Sequence, residues 1–178
     1  MEPAFYLLLT VGCLGLLDLA YFHVYRCGLA HRAECQREVL LHTLRHAVYA
    51  VQFAVVANLR FHGWMLIALA ALYVSDVATA LADVLEEPKS RGPQGGLPRG
   101  EYFMHVVLSL LVGAYLLSVG QAAWVDRLLP TAIVVDPPHV PPVLRLMMTG
   151  MAVSALGFFA HDLLRYLGFR HTASGAAR

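Results

Sequence analysis

Five long apolar segments run through the chain, and each is long enough to cross the hydrocarbon core of a membrane as a helix. They cover residues 5–25, 40–59, 64–85, 102–124 and 143–167, with a turn expected at 60–63. A crossing helix needs about 20 apolar residues and satisfies its own backbone hydrogen bonds. In a chain of 178 residues, 58% of them hydrophobic, five crossings leave no room for a separate soluble domain. The sequence therefore predicts an all-α integral membrane bundle over residues 1–170, followed by a flexible tail at 171–178.

Basic residues are distributed unevenly between the two sides of this predicted bundle. Nine lie in the first and third loops or near the C-terminus, and three lie on the opposite side. The nine are Arg26, Arg32, Arg37, Lys89, Arg91, Arg99, Arg165, Arg170 and Arg178, and the three are Arg60, Arg127 and Arg145. Because cytoplasmic loops of membrane proteins carry the excess of Lys and Arg, we expect the N-terminus outside and the C-terminus in the cytoplasm. The expected location is the inner membrane of a bacterium.

The overall charge excludes one class of partner. The chain has 13 Lys and Arg against 12 Asp and Glu, a net charge of +1. A nucleic-acid-binding protein needs a basic surface patch, which this balance does not supply. We therefore expect membrane lipid, and no nucleic acid, as a partner. The sequence leaves open whether a second copy of the chain or a partner membrane subunit completes a site.

Ionisable residues inside the predicted helices gather at one depth. Each costs roughly 2.5–3.5 kcal/mol on insertion scales, so each needs a partner or a function. At about 1.5 Å per residue, eleven that lie in or just beside the helices fall within roughly 13 Å of the predicted cytoplasmic side. They are Asp18, His23, Glu38, His42, Arg45, His46, Asp76, Asp83, His105, His161 and Asp162. This convergence from five helices predicts a site that is open to the cytoplasm and closed on the outer side.

The spacing and chemistry of these side chains suit a metal ion. Glu38, His42 and His46 recur at steps of four, which places them on one face of a helix. A mixture of imidazoles and carboxylates suits one or two ions of zinc, iron or manganese. The predicted ligands are His42, His46 and His105 first, then Asp76, Asp83, Asp18, His23 and His161, while Asp76, Asp83 and Glu38 are the candidates for acid–base catalysis.

These features predict a membrane-embedded, metal-dependent enzyme. A lipid-like substrate is expected because the site lies at the depth of headgroups and upper acyl chains. A metal would lower the pKa of a bound water or activate oxygen, and a nearby carboxylate would then move the proton. Arg45 or Arg26 is expected to bind an anionic headgroup. Both a hydrolase and an oxidoreductase are compatible with the sequence.

Three other functions remain open on the sequence. A subunit with haem b would use two histidines at similar depth on different helices, such as His46 with His105 or His161, although a haem pocket is largely apolar. A proton-coupled transporter would use the same Asp and His side chains, although the chain has no inverted repeat. A structural membrane subunit would use them only to hold the helices together, for instance through an ion pair between Arg45 and an acid of the third helix.

No motif assigns the chain to a family. Glu38-x3-His42 is one residue longer than the Glu-x2-His pair of di-iron bundles. Residues 86–91 contain the Glu-Glu-x3-Arg of intramembrane CAAX-type proteases, but Pro88 is expected to end the helix that such a motif needs. The predicted function therefore depends on the layer of polar residues.

Overall fold

A computed structural model describes residues 2–135 and 140–175, and within them the chain is mostly helical. The helices are α1 (Glu2–Asp18, continued by a π-helical segment, Leu19–Arg26), α2 (Gln36–Asn58), α3 (Leu66–Arg91), α4 (Arg99–Asp126) and α5 (Pro142–Gly175). Each of the five regions is long and apolar enough to cross a membrane. This confirms the five predicted helices.

Two short strands correct the prediction of a chain without β-structure. Strands β1 (Leu59–His62) and β2 (Ala132–Val135) pair antiparallel, with Leu59 opposite Val135. β1 occupies most of the segment for which a turn is expected. The pairing gives the backbone polar groups of two apolar connections hydrogen-bond partners, which a membrane-like environment demands. Gly63 leads from β1 toward α3 with φ +56°, and a Cβ there would lie 2.6 Å from the Thr131 hydroxyl, so only glycine fits.

The third helix is longer than expected. It continues through Pro88 to Arg91, so the expectation that Pro88 ends it is wrong. Pro88 lies in the last turn, where its missing N–H removes one hydrogen bond without interrupting a long helix. Lys89 and Arg91 lie in that turn, and their positive charges interact favourably with the negative, C-terminal end of the helix dipole. As a result, six residues expected in a loop lie on a helix.

The last helix also extends beyond its predicted end. α5 continues to Gly175, so the tail predicted from residue 171 begins as helix, and residues 176–178 lie outside the described part of the chain. Pro137 and Pro138, which precede α5, also lie outside it.

The helices form a ring that is closed except at one place. α2 packs against α3 and α5, and α1 packs against α4 and α5. Over the described residues, the backbones of α3 and α4 do not pack closely against each other. We call the end at which β1 and β2 pair the strand end. The opposite end, where α1 and α3 finish and α2 and α4 begin, is the polar end.

The main apolar core lies at the strand end. Its buried side chains are Ala4, Phe5, Leu8, Phe53, Val56, Ala57, Tyr73, Tyr115, Val119, Val140, Leu144, Met148 and Ala152. The polar end has only a small apolar cluster, formed by Cys27, Leu29, Cys35 and Val39. Apolar packing therefore contributes more to the stability of the strand end than to that of the polar end.

Candidate functional site

A change of helix geometry brings the first two site residues together. α1 is continued by the π-helical segment Leu19–Arg26. The Cys27 N–H donates to the Phe22 carbonyl at 2.9 Å in the same i→i+5 pattern. Residues five apart are therefore neighbours along this segment, whereas a regular α-helix would turn them to different sides. His23 Nε2 accordingly lies 3.4 Å from Asp18 Oδ2. π-Helical segments within α-helices occur frequently at functional sites.

A pair of histidines forms the centre of the site. The Nδ1 atoms of His23 and His42 are 3.1 Å apart, and the rings are nearly parallel, with centroids separated by 4.5 Å. On the far side of each ring is a carboxylate: His42 Nε2 lies 3.0 Å from Asp83 Oδ2, and His23 Nε2 lies 3.1 Å from Glu101 Oε1. If both rings carry their protons on Nε2, two unprotonated Nδ1 atoms lie 3.1 Å apart, and a cation between them would remove their repulsion. If one ring carries its proton on Nδ1, that N–H donates a hydrogen bond to the other ring.

A third imidazole lies beside this pair. His105 Nε2 is 3.3 Å from Asp18 Oδ2, and His105 Nδ1 is 3.0 Å from Glu87 Oε1. One ligand atom each from Asp18, His23 and His105 lies within 4.8 Å of the others, and the same holds for His23, Glu38 and His42. The two groups share His23. Four helical segments thus supply two adjacent sets of side chains that are able to hold a metal ion.

A buried ionic network lies next to the histidines. Arg91 Nη2 donates to Glu38 Oε1 at 2.8 Å and to Glu101 Oε1 at 2.6 Å, and the Ser90 hydroxyl also donates to Glu38. Both acids are 0% exposed. Buried charges of opposite sign compensate one another only when the geometry is good, so Arg91 fixes the positions of both carboxylates.

Sequence reasoning missed the Arg91 network. The predicted third helix ends at residue 85 and the predicted fourth begins at residue 102, so Arg91 and Glu101 both fall in the predicted loop between them. A signal was nevertheless present, since Asp83, Glu87 and Arg91 follow one another at steps of four and share a helix face.

Arg45 forms the ion pair that the sequence left open. Its Nη1 lies 3.1 Å from Asp83 Oδ2, so Asp83 contacts both Arg45 and His42. The Arg45 side chain remains 30% exposed and lines the cavity described below. It is therefore placed to contact a molecule in that cavity as well as Asp83.

Asp76 lies apart from the histidine pair. Its Oδ2 accepts a hydrogen bond of 3.0 Å from Gln52 Nε2. At about 1.5 Å per residue, it is about 10 Å from Asp83 along α3. Asp76 lines the same cavity, but the structure does not bring it together with the imidazoles that it was predicted to join.

Three further predicted residues have other surroundings. His46 Nδ1 lies 3.4 Å from Asp162 Oδ2, and His161 Nδ1 lies 2.8 Å from Asp162 Oδ1. The side chain of His161 is half exposed and, unlike His46, is not part of the cavity wall. Arg26 is exposed and likewise does not line the cavity. His46 is thus near the site but faces an acid of α5, while His161 and Arg26 are peripheral to it.

The thiol next to the π segment is not an activated nucleophile. Cys27 is buried, and burial raises the pKa of its thiol above the ordinary value. The thiolate, which is the nucleophilic form, is therefore disfavoured at neutral pH. The imidazoles and carboxylates remain as the reactive groups of this end.

One cavity of about 420 Å³ extends from the histidines into the bundle, and all five helices line it. The polar part of its wall includes His23, His42, Arg45, Asp83 and His105. Much of the rest is apolar, including Val11, Leu16, Phe53, Val112, Leu116 and Met151. Its volume lies in the range of about 300–1,000 Å³ that is typical of small-molecule sites. The cavity is therefore amphipathic, with ionisable groups concentrated at one end.

Comparisons of the chain with protein-family models, curated proteins and solved structures give no match. A function for this chain therefore has to come from the chemistry of its site.

Proposed function

We propose that this protein is an integral membrane enzyme that uses one or two metal ions to act on a lipid-like substrate. The excess of basic residues near the polar end supports a cytoplasmic position for that end, in the inner membrane of a bacterium, with the N-terminus outside. The observation that carries the proposal is the pair of Nδ1 atoms, from His23 and His42, that face each other at 3.1 Å.

The surroundings of this pair are those of metal-binding histidines. A histidine that binds a metal usually donates its second ring N–H to a carboxylate. His42 Nε2 is hydrogen bonded to Asp83 in this way, and Glu101 Oε1 lies 3.1 Å from His23 Nε2. Zn–N bonds of about 2.0–2.1 Å separate two ligands of a tetrahedral ion by about 3.3 Å, close to the observed separation. Glu38 is the carboxylate that joins this pair, and His105 with Asp18 forms the adjacent group. Zinc, iron and manganese all accept such ligands.

Carboxylate oxygens beside the metal groups supply the acid–base function. Among the described residues, Asp18 Oδ1 and Asp83 Oδ1 are buried without a hydrogen-bond partner. A metal held by these residues would supply Lewis-acid chemistry and lower the pKa of a bound water, and one of these two carboxylate oxygens would accept the proton that the water releases. Arg45 binds an anionic headgroup from the wall of the cavity. Hydrolysis and oxidation both use this arrangement.

A structural membrane subunit is the second candidate. It is favoured by the ion pair of Arg45 with Asp83 and by the buried pairs of Arg91, both of which hold helices together without any reaction. In that case the Nδ1–H of one ring, and no metal, lies between His23 and His42.

Elemental analysis of the purified protein separates the two candidates. We expect about one or two equivalents of zinc, iron or manganese, and loss of most of it in His23→Ala and His42→Ala. The matched control is His62→Ala, which removes an imidazole at the strand end and should leave the metal content unchanged.

Two results would overturn the proposal. One is the absence of metal from protein that has been supplied with all three ions, which would favour the structural subunit. The other is the absorption spectrum of bound haem, abolished by His46→Ala, which would favour a haem subunit.

A further inference from the structure

The gap between α3 and α4 is bridged only near its two ends. Toward the strand end, the Tyr73 and Tyr115 hydroxyls are 2.8 Å apart and hydrogen bonded. Toward the polar end, Glu87 Oε1 contacts His105 Nδ1 at 3.0 Å. Between these bridges, which are about 15–20 Å apart along the helices, the described parts of α3 and α4 do not pack closely.

The wall of the cavity is open at this gap. Leu81 and Val84 of α3 line the cavity and are nevertheless 61% and 54% exposed. On the facing side, Ser109 and Gly113 of α4 also line the cavity and are exposed. A Cβ added at Gly113 would have nothing within 4 Å, so there is free space at this point. The cavity therefore opens sideways, toward the surface that a bilayer would cover.

The shape and polarity of the cavity match one chain of a lipid. Along α2 it extends from His42 to Phe53, or about 16 Å at 1.5 Å per residue. That is about half of the hydrocarbon thickness of about 30 Å, the depth of one leaflet. The charged groups lie at the end where a headgroup would be, and apolar side chains follow. A water-soluble substrate would not need an apolar extension of this length, nor an opening in the side of the bundle.

We propose that a membrane lipid enters through the gap between α3 and α4, with one hydrocarbon chain in the apolar part of the cavity and its polar group beside Arg45. This inference rests on the proposed membrane-embedded, lipid-directed function and specifies how its substrate binds. Gly113 lies in the cavity wall at this gap, and we expect a large side chain there to narrow the opening.

Photolabelling tests the route. The protein is reconstituted into vesicles of phosphatidylethanolamine and phosphatidylglycerol that contain a phosphatidylcholine with a diazirine at the end of one acyl chain, and adducts are mapped by mass spectrometry after irradiation. We expect adducts at Phe53, which lines the cavity but is only 2% exposed, as well as at lipid-facing Leu110. In Gly113→Phe, the ratio of Phe53 to Leu110 adducts should fall about tenfold.

The matched control is Gly120→Phe. Gly120 lies on the same helix, is exposed and has free space for a Cβ, but does not line the cavity. Its adduct ratio should equal that of the original chain. Val84→Trp narrows the gap from α3 and should lower the ratio as Gly113→Phe does, so it decides the test if Gly113→Phe does not fold.

Two outcomes would overturn the inference: no adduct at Phe53 in the original chain, or an unchanged ratio in folded Gly113→Phe and Val84→Trp. Metal content, measured on the same samples, distinguishes this failure from failure of the metal proposal. Labelling of Phe53 without bound metal supports lipid binding in the cavity but not the metal centre. Bound metal without labelling supports the metal centre but not lipid binding in the cavity.

Discussion

The strand end and the polar end of the bundle are stabilised by different interactions. At the strand end the fully buried side chains are mostly apolar, such as Leu8 and Met148, both 0% exposed. At the polar end the most buried groups are ions, and Glu38, Arg91 and Glu101 are all at most 1% exposed. Apolar packing needs no compensation, whereas each buried ion carries a desolvation cost of several kcal/mol. This contrast supports the proposal that the polar end holds the functional site.

The backbone differs between the two ends in the same way. The strand end is completed by regular pairing of β1 with β2. The polar end contains the π segment Leu19–Arg26 and three single turns of 3-10 helix, Leu29–His31, Ala33–Cys35 and Gly92–Gln94, whereas the strand end contains one, Gly63–Met65. Irregular backbone at membrane depth is tolerated only where it is covered by protein or lines a cavity. The π segment, the one π-helical stretch among the described residues, lies at the end that holds the candidate site.

The largest expected effect comes from removing the central cation of the polar end. Arg91→Met leaves Glu38 and Glu101 buried without their partner, and we expect it to lower the free energy of unfolding by about 3–5 kcal/mol. The midpoint of unfolding in an SDS titration of the protein in detergent micelles measures this change.

Two variants distinguish a charge effect from a packing effect at Arg91. Arg91→Met combined with Glu38→Gln and Glu101→Gln should recover part of the loss, because no uncompensated charge remains. Lys89→Met, at a side chain that is 69% exposed, should change the free energy by less than about 0.5 kcal/mol. Equal effects of Arg91→Met and Lys89→Met would contradict the contrast between the two ends.

A smaller effect is expected from a cavity in the strand end. Met148→Ala removes a fully buried side chain and should cost about 2 kcal/mol, measured in the same titration. The metal content of the variant should not change, because the site lies at the opposite end. Leu146→Ala, two residues away and 73% exposed, is the control and should have little effect on either quantity. Loss of metal from folded Met148→Ala would show that the two ends are not independent.

The smallest effect concerns the polar contact within the strand end. The hydrogen bond between Tyr73 and Tyr115 should have a coupling energy of about 0.6 kcal/mol, the average for such bonds between membrane helices. A double-mutant cycle of Tyr73→Phe and Tyr115→Phe, analysed by SDS titration, measures it. A coupling as large as the effect of Arg91→Met would mean that polar contacts dominate at both ends.

Sequence reasoning located the polar layer but not its internal contacts. The stripe of Glu38, His42 and His46 follows from helical periodicity, yet only His42 meets another imidazole, because α5 supplies Asp162 to His46. The contact of Asp18 with His23 was hidden, since a spacing of five does not share a face in a regular α-helix.

The strand pair was missed for a similar reason. β1 and β2 are four residues each and are separated by more than 60 positions in the chain, so neither carries a clear local signal. They form because the loops that carry them meet at one end of the bundle.

The lengths of the apolar segments are local properties of the chain, and they were enough to determine five helices. Because consecutive helices run in opposite directions, the same segments also place most of the ionisable residues at one end of the bundle. Tertiary structure alone decided that His23 faces His42, that Arg91 joins two acids, and that α3 and α4 leave an opening between them. Each of these contacts depends on how far each helix is rotated and shifted relative to its neighbours. Rotation and shift are decided by packing between segments distant in sequence, which no local pattern records.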